Sequence, residues 1–244
     1  MTLSVCIPMY NESATVANCC DELYSKLCSI RERRATDFEI ILCDDGSTDK
    51  TRQLAQDASS GRPEVRVIGY SENRGKGFAV KTAILDSHCD AVIYTDCDLA
   101  YGVDVIEDAV DAIYKDGDFA YDIVIGSRNL TRDGYSGYGA VRKLASKAYI
   151  KMLSLIGGFK LSDSQCGFKI FNTESAKRLF GECECEGFAF DYEIILLARK
   201  YGMTVGEMPV RIVNHRDSTV NVFHDSFSMF RDVVRIRRRI GKKK

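Results

Sequence analysis

At 244 residues, 45% of them hydrophobic and 28% charged, with a net charge of −1, the chain holds enough apolar content to close a core and too little charge imbalance to stay disordered. That length predicts one large domain, and the near-neutral balance excludes a wholly basic surface of the kind that tracks nucleic acid. Ten cysteines without C-x-x-C spacing, several inside apolar runs (Cys6, Cys43) or adjacent (Cys19, Cys20), with no metal-ligand pattern at His88, His215 or His224, predict buried free thiols in a reducing compartment.

In chain order, Leu3–Pro8 reads as a short apolar strand. Val16, Cys19, Cys20, Leu23, Leu27 and Ile30 recur at helical spacing behind the cap candidates Asn11 and Ser13. A second strand, Phe38–Cys43, ends in the turn chemistry of Asp44-Asp45-Gly46-Ser47 and leads to a helix through Leu54, Ala55 and Ala58. Strand Val65–Gly69, helix Gly77–Asp86, strand Ala91–Thr95, a helix through Val103, Ile106, Val110 and Ile113, and strand Asp122–Gly126 follow. Strands alternating with helices of this length imply parallel pairing through helical crossovers, and continuous apolar strands such as Ile40-Ile41-Leu42 suit a sheet covered on both faces. The second half is less regular: a long helix from about Ala140 to Ile156 stopped by Gly157-Gly158, a helix over Phe190–Tyr201, and one or two strands in Thr204–Val213 around Pro209. The expectation is one α/β domain with a mostly parallel central sheet and helices on both faces, residues 1–222, followed by a basic amphipathic C-terminal helix or tail, residues 223–244.

In an open parallel sheet, ligands bind beyond the carboxyl ends of the strands. Three polar clusters fall there, each directly after a strand: Pro8-Met9-Tyr10-Asn11-Glu12, Asp44-Asp45-Gly46-Ser47-Thr48-Asp49 and Asp96-Cys97-Asp98. Carboxylates converging on one edge repel unless a positive charge lies among them. A divalent cation carrying a diphosphate meets that need, because Mg2+ and Mn2+ take hard oxygen ligands and share them with phosphates.

These clusters, together with Asn73-Arg74-Gly75-Lys76-Gly77, Gly126-Ser127-Arg128, Asp163-Ser164-Gln165-Cys166-Gly167-Phe168-Lys169 and Phe188-Ala189-Phe190-Asp191-Tyr192-Glu193, span nearly the whole chain. In that order they resemble the family 2 glycosyltransferases of the GT-A, nucleotide-diphospho-sugar transferase, fold. Within them the pattern is most similar to the polyprenol-phosphate group, on the dolichyl-phosphate β-glucosyltransferase side. Position by position, the resemblance implies that Pro8, Tyr10, Asn11, Glu12, Asp44 and Asp45 hold the nucleoside, that Asp96 and Asp98 bind Mg2+ or Mn2+ with the diphosphate, and that the backbone at Cys97 lines the donor. Cys97 departs from the small alanine usual there, and Leu99-Ala100 lacks the glutamine of mannose synthases, which favours UDP-glucose over GDP-mannose as donor. Lys76 does not lie in a phosphate-binding P-loop, since Tyr70 stands where its first glycine belongs. Its flanking glycines are expected to let the backbone pass close to the donor, with Lys76 near the phosphates or the acidic cluster.

The acceptor decides what else the site needs. A sugar hydroxyl requires a carboxylate base, and Asp191 is the candidate. A phosphate monoester, with its second pKa near ~6, is already mostly dianionic at neutral pH and needs only cations to hold it. Arg128, closing a strand, and Lys169, after a Gly-Phe turn, are read as such cations, and the resemblance adds Arg142 and Arg216. Asp98, Arg128 and Asp191 are therefore the expected catalytic residues.

The C-terminal stretch Arg231–Lys244 carries eight basic residues against the single acid Asp232, a net +7 on a body of −8. With Phe223, Phe227, Phe230, Val234 and Ile240 at roughly helical spacing, it is read either as an interfacial helix on an anionic membrane or as a helix docked on the core. No apolar run approaches the ~20 residues that span a bilayer. The expected partners are a UDP- or GDP-hexose, a lipid phosphate and a membrane surface, without nucleic acid, and the expected place is cytoplasmic, peripheral to a membrane. Two rival functions are a glycosyltransferase with a hydroxyl acceptor and a non-catalytic nucleotide-sugar-binding module. Nucleotidyl transfer is disfavoured, because Pro8-Met9-Tyr10-Asn11 replaces the glycine-rich N-terminal loop it needs.

Overall fold

The apolar runs of the first half can be buried on both sides only between two layers of helix, and a computed structural model shows that arrangement. It describes residues 1–214 and 222–242, with the side chains of Arg142, residues 222–230 and Lys242 outside the described set. Strand β1 (Leu3–Met9) is followed by helix α1 (Val16–Arg34), β2 (Phe38–Asp45), α2 (Thr51–Ser59), β3 (Val65–Tyr70), α3 (Lys76–Leu85), β4 (Ala91–Tyr94) and α4 (Val105–Ile113). A small hairpin, β5 (Tyr114–Lys115) with β6 (Asp118–Phe119), leads to β7 (Ile123–Ser127) and α5 (Ala140–Gly157). The remainder is β8 (Lys169–Asn172), α6 (Thr173–Glu182), α7 (Phe190–Lys200), β9 (Val205–Pro209) and α8 (Val222–Lys242).

Among the described residues the main sheet has seven strands in the order β3-β2-β1-β4-β8-β7-β9. β3, β2, β1 and β4 are mutually parallel, and β7 pairs in parallel with β9. β8 runs antiparallel to both β4 and β7, joining the two parallel blocks. β1 is buried along nearly its whole length, which requires cover on both faces. α3 packs on β1, β2 and α6, while α1 packs on α2 and is tied to α4 by ion pairs.

Three features depart from the sequence reading. β8 escapes a hydropathy scan because it is four residues long and opens on a lysine, yet it sits in the middle of the sheet. α6 follows it at once, its N-terminus capped by Asn172, whose side-chain oxygen accepts from the N–H groups of Glu174 at 3.0 Å and Ser175 at 3.3 Å. Neither Asn11 nor Ser13 caps α1, which starts at Val16 with Thr15 at its N-cap and no side-chain cap. Asn11 instead adopts a left-handed backbone, φ 55°, and its side-chain oxygen accepts from Thr48 N at 2.9 Å.

All ten cysteines are free, and eight are buried. No described helix is long and apolar enough to cross a membrane. The described half of α8 docks on the body: Val233 and Ile236 are buried in the core, Arg237 Nε donates to Ile156 O at 3.0 Å, and Arg239 pairs with Glu184 and Glu193. Its inward stripe is thus Val233, Ile236 and Ile240, with the expected Val234 half-buried at its margin.

The α1–α4 contact yields a test of the electrostatics. Arg33 and Lys26 hold the Glu107 carboxyl down at about 2. Because its ordinary value is ~4.3, this pairing stabilises the fold above that pH and is lost as pH falls toward the depressed value. Glu107→Gln should lower the thermal midpoint at pH 7 by ~2–4 °C, about 1 kcal/mol, with the gap to the parent closing in acid. A gap that does not depend on pH in calorimetry from pH 7 to 3 contradicts this assignment.

Candidate active site

β1, β2, β3 and β4 end together along one edge of the sheet, so the loops that leave them share one rim. Pro8 lies in β1, and beyond it Tyr10 is 44% exposed on the rim. The backbone N–H of Asn11 donates to Ser47 Oγ at 3.0 Å and that of Glu12 to Thr51 Oγ1 at 2.7 Å, while Thr15 Oγ1 donates to Glu12 Oε2 at 2.6 Å. These bonds strap the loop after β1 to the loop after β2.

Asp44 and Asp45 close β2 and are both buried. Asp44 Oδ1 accepts from Ser47 N at 3.2 Å, forming the turn. The Asp45 carboxylate gathers Tyr70 OH at 2.6 Å, Asn73 Nδ2 at 2.9 Å, Arg74 N at 2.9 Å and Gly75 N at 2.9 Å. A carboxylate has about four lone-pair sites, so Asp45 is filled by its own protein. It organises the 73–75 loop, and direct nucleoside contact through its side chain gives way to that role.

The loop it holds delivers Lys76 to the first turn of α3. Gly75, at φ 108°, and Gly77 leave no room for a side chain: a Cβ there would stand 2.6 Å from Glu186 O and 2.5 Å from Cys185 O respectively. The close backbone approach expected of these glycines is therefore to the 185–187 segment. Lys76 Nζ meets Asp96 Oδ1 at 2.6 Å. Burial pulls on the Lys76 ammonium, but Asp96 and Asp191 outweigh it and hold its pKa above the ordinary lysine value.

Asp98 lies two residues on, half-buried, with Oδ1 accepting from Ala100 N at 3.0 Å. Burial first, and then the Asp96 charge, raise its pKa. Cys97 points the other way, buried, with Sγ 3.8 Å from Thr15 Oγ1, so only its backbone can serve the rim. The turn that aims these carboxylates places Leu99 at φ 46°, a left-handed conformation costing a branched-chain residue ~1–2 kcal/mol. Asn214 Nδ2 and Gly102 N hold it in place by bonding Leu99 O at 2.9 and 2.7 Å. Asp96 and Asp98 together are a like-charge pair, with the Lys76 ammonium on Asp96 and hard oxygen donors only. Among the described residues no group of three or more ligating side chains can hold an ion alone. A small divalent cation completing its shell with phosphate and water oxygens fits that donor set.

The Asp163–Lys169 loop covers this pair from the second half of the chain. Gly167 abuts it, since a Cβ there would lie 2.5 Å from Asp96 Oδ2. Lys169 itself is fully buried and gives its three donors to Tyr94 OH at 2.9 Å, Cys166 O at 2.7 Å and Asp191 Oδ1 at 2.6 Å. An ammonium has three donors, so the expectation that Lys169 grips an acceptor phosphate is corrected: it is an internal tie between β8 and α7. Asp191, in the first turn of α7 and buried, also accepts from Tyr94 OH.

Arg128 follows β7 as expected, but its Nε and Nη2 edge is taken by Asp163, at 2.6 Å to Oδ2 and 2.9 Å to Oδ1. Asp163 is wholly buried and Arg128 is 8% exposed, with its guanidinium 5.0 Å from the Tyr135 ring. Its Nη1 edge takes no part in that pair. The Arg142 side chain and Arg216 lie outside the described residues.

Three partners went unread in the sequence. Tyr94 and Asp163 complete the two buried pairs, and Glu193 anchors the backbone at 184–185 by accepting from Cys185 N at 2.7 Å and Glu184 N at 3.1 Å. Glu193 is thus a buried anchor, paired with Arg239, beyond the helix-start charge its position suggested. Asp163 and Glu193 belong to motifs already singled out and Tyr94 to a strand read from its apolar run, but none of these signals shows a side chain's burial or its partner.

Residues 4–180 match the family model described as glycosyl transferase family 2. The chain is 32% identical to the dolichyl-phosphate β-glucosyltransferase of Dictyostelium discoideum, over 96% of this chain and 73% of that protein. It is 30% identical to the human protein of the same name, over 97% of this chain and 75% of the relative. Among solved structures, glucosyl-3-phosphoglycerate synthase of Mycobacterium tuberculosis, crystallised with Mn2+, UDP and glucosyl-3-phosphoglycerate, superposes with a TM-score of 0.69 at 19% identity, over 96% of this chain and 78% of that one. Mannosyl-3-phosphoglycerate synthase of Rubrobacter xylanophilus gives 0.64 at 22% identity, over 100% and 76%. The expected GT-A fold is the fold observed.

The buried tie yields a stability test. Lys169→Met removes the ion-pair partner of the buried Asp191 and should cost ~3–5 kcal/mol in urea unfolding. The double variant Lys169→Met with Asp191→Leu should regain much of that loss. A single variant as stable as the parent contradicts the pairing.

Proposed function

Because the chain belongs to glycosyl transferase family 2, and is thereby a glycosyltransferase, we propose that it transfers glucose from UDP-glucose to a polyprenyl phosphate of the dolichyl type with inversion at the anomeric carbon. The glucosyl and dolichyl-phosphate parts rest on the relatives named above. An acceptor phosphate oxygen forms the new bond to the anomeric carbon as the bond to the UDP oxygen breaks, and the electron pair leaves on UDP.

The observation that carries the choice of acceptor is the state of Asp191. In the hydroxyl-acceptor reading this carboxylate must take a proton, yet it is bonded to the Lys169 ammonium and the Tyr94 hydroxyl. The carboxylate is buried, and the oxygen that both groups share is committed to the tie between β4, β8 and α7, so it is not presented to an acceptor hydroxyl. A phosphate acceptor removes the need for a base. It calls for a cation, and the one proposed is Arg128, aligned by Asp163 through Nε and Nη2, with its Nη1 edge outside that pair; Arg142 and Arg216 remain proposed companions.

On the donor side Asp96 and Asp98 would hold Mg2+ or Mn2+, which supplies charge stabilisation to the departing diphosphate when bound. Lys76 contributes a second positive charge, already aimed at the rim by Asp96. Pro8, Tyr10, Asn11, Glu12 and Asp44 would frame the nucleoside, with Asp45 acting through the 73–75 loop it holds. Residues 1–222 are proposed as the catalytic domain, with 223–244 as a helix that docks through Val233 and Ile236 and turns Arg235 and Arg238 outward. Those outward arginines support a peripheral place on the cytoplasmic face of a membrane, near the lipid acceptor.

Incubation with radiolabelled UDP-glucose, dolichyl phosphate and Mn2+ should yield label in an acidic lipid, and Asp98→Ala should lower that rate by at least ~10²-fold. Gly167→Ala, which presses on Asp96, should weaken binding of UDP with Mn2+ by about tenfold or more in calorimetry. Asp191→Asn, checked by its melting curve to be folded, should keep turnover within about tenfold of the parent, where loss of a general base costs ~10²–10⁴-fold. Label found only in a neutral glycan, together with loss on that larger scale in Asp191→Asn, would establish the hydroxyl-acceptor alternative.

A further inference from the structure

Helix α5 is apolar on two opposite sides. One side, with Ile150 and Leu153, is buried against the body. The other carries Val141 at 84%, Leu144 at 71% and Leu155 at 75% exposure, with exposed Ala145 and Ala148 between them. At ~100° per residue these five fall within one arc about 100° wide. A scattered exposed leucine needs no explanation, but an ordered stripe along four turns of helix does.

The surroundings of the stripe identify its partner. Lys147 and Lys151, both exposed, border one flank of the arc. Beside them runs a groove of about 700 Å³ whose lining includes Lys147, Lys151 and Lys160 together with Leu155, Phe159 and Leu161. Among the described residues no acid lines it. Its far wall includes Asn129 and Ser162, the chain neighbours of Arg128 and Asp163, so it ends beside the proposed acceptor cation. A lysine-flanked apolar stripe matches the interface of an anionic bilayer, where apolar side chains enter the acyl boundary and each nearby basic residue adds ~1 kcal/mol. A second copy of this chain would bring the same lysines against one another.

We propose that the outer face of α5 is a membrane-docking surface that seats the protein on anionic lipid with its acceptor side against the bilayer. The surface stands on exposure and charge alone; only its use, the delivery of a lipid acceptor, rests on the function proposed above. α8 is also basic, but its described half has its apolar stripe engaged on the core, whereas the outer stripe of α5 is open.

The test is flotation of the full chain with phosphatidylcholine vesicles, with and without phosphatidylserine and free of any polyprenyl phosphate. The parent should float with the anionic vesicles. The triple variant Val141→Asp, Leu144→Asp, Leu155→Asp should bind them at least ~10-fold more weakly, and Lys147→Glu with Lys151→Glu should lose the phosphatidylserine dependence. All substituted side chains are exposed, so melting curves should match the parent. Turnover on a short-chain, water-soluble polyprenyl phosphate should stay within about twofold; if the parent itself lacks that turnover, the proposed function fails while flotation still decides the surface. Three results overturn the proposal: a triple variant that floats like the parent, binding removed by Arg235→Glu with Arg238→Glu alone, or a parent that light scattering shows to be a dimer and that the triple variant converts to a monomer.

Discussion

The constraint on which the structure turns is the crowding of carboxylates at one sheet edge. Asp96 and Asp98 sit two residues apart on a strained turn, with Asp44 and Asp45 ending the strand beside β1. Like charges at such separation cannot all stay ionised without compensation, and the chain meets this in two ways. Asp45 is satisfied internally by four hydrogen-bonding groups from the 70–75 segment. Asp96 is met by Lys76. Burial and the Asp96 charge raise the Asp98 pKa, and among the described residues no ion pair engages it, so an added cation would compensate it.

The second half of the chain serves the same edge from below. β8 enters antiparallel between β4 and β7, bringing Gly167 onto Asp96 and Lys169 under Tyr94. Lys169 then fixes Asp191, and two residues along α7 Glu193 fixes the backbone at 184–185, where the 185–187 segment that presses on Gly75 and Gly77 begins. Lys76, between those glycines, is thus positioned by contacts from α7 as much as by its own helix. The Arg239 pairing extends this chain of contacts to α8. Two of the residues read as cations for an acceptor, Arg128 and Lys169, turn out to be halves of buried ion pairs, Lys169 with all three donors engaged and Arg128 through its Nε and Nη2 edge.

What could be read from the residues follows from which physical signal each element emits. β1, β2 and β4 announce themselves because burial on both faces demands continuous apolar runs, and the acidic clusters beyond them follow from the rule that ligands sit at strand carboxyl ends. β8 stayed hidden because a four-residue strand opening on Lys169 has no period to detect. Asn11 was misread as a cap because a left-handed asparagine and a cap asparagine look alike in sequence; only the distance to Thr48 separates them. The pairings of Lys169 and Arg128 were illegible for a different reason. A charge beside a glycine turn carries the same letters whether it faces solvent or a buried carboxylate, and the partner lies tens of residues away.

The most direct test of the rim is a crystal soaked with UDP-glucose and Mn2+, read by anomalous scattering. One manganese peak is expected within coordination reach of a carboxylate of Asp98 or Asp96, beside the diphosphate of UDP, with Lys76 still beside Asp96. A manganese or nucleotide bound away from that edge, or a diphosphate seated there without metal in saturating Mn2+, would contradict that placement.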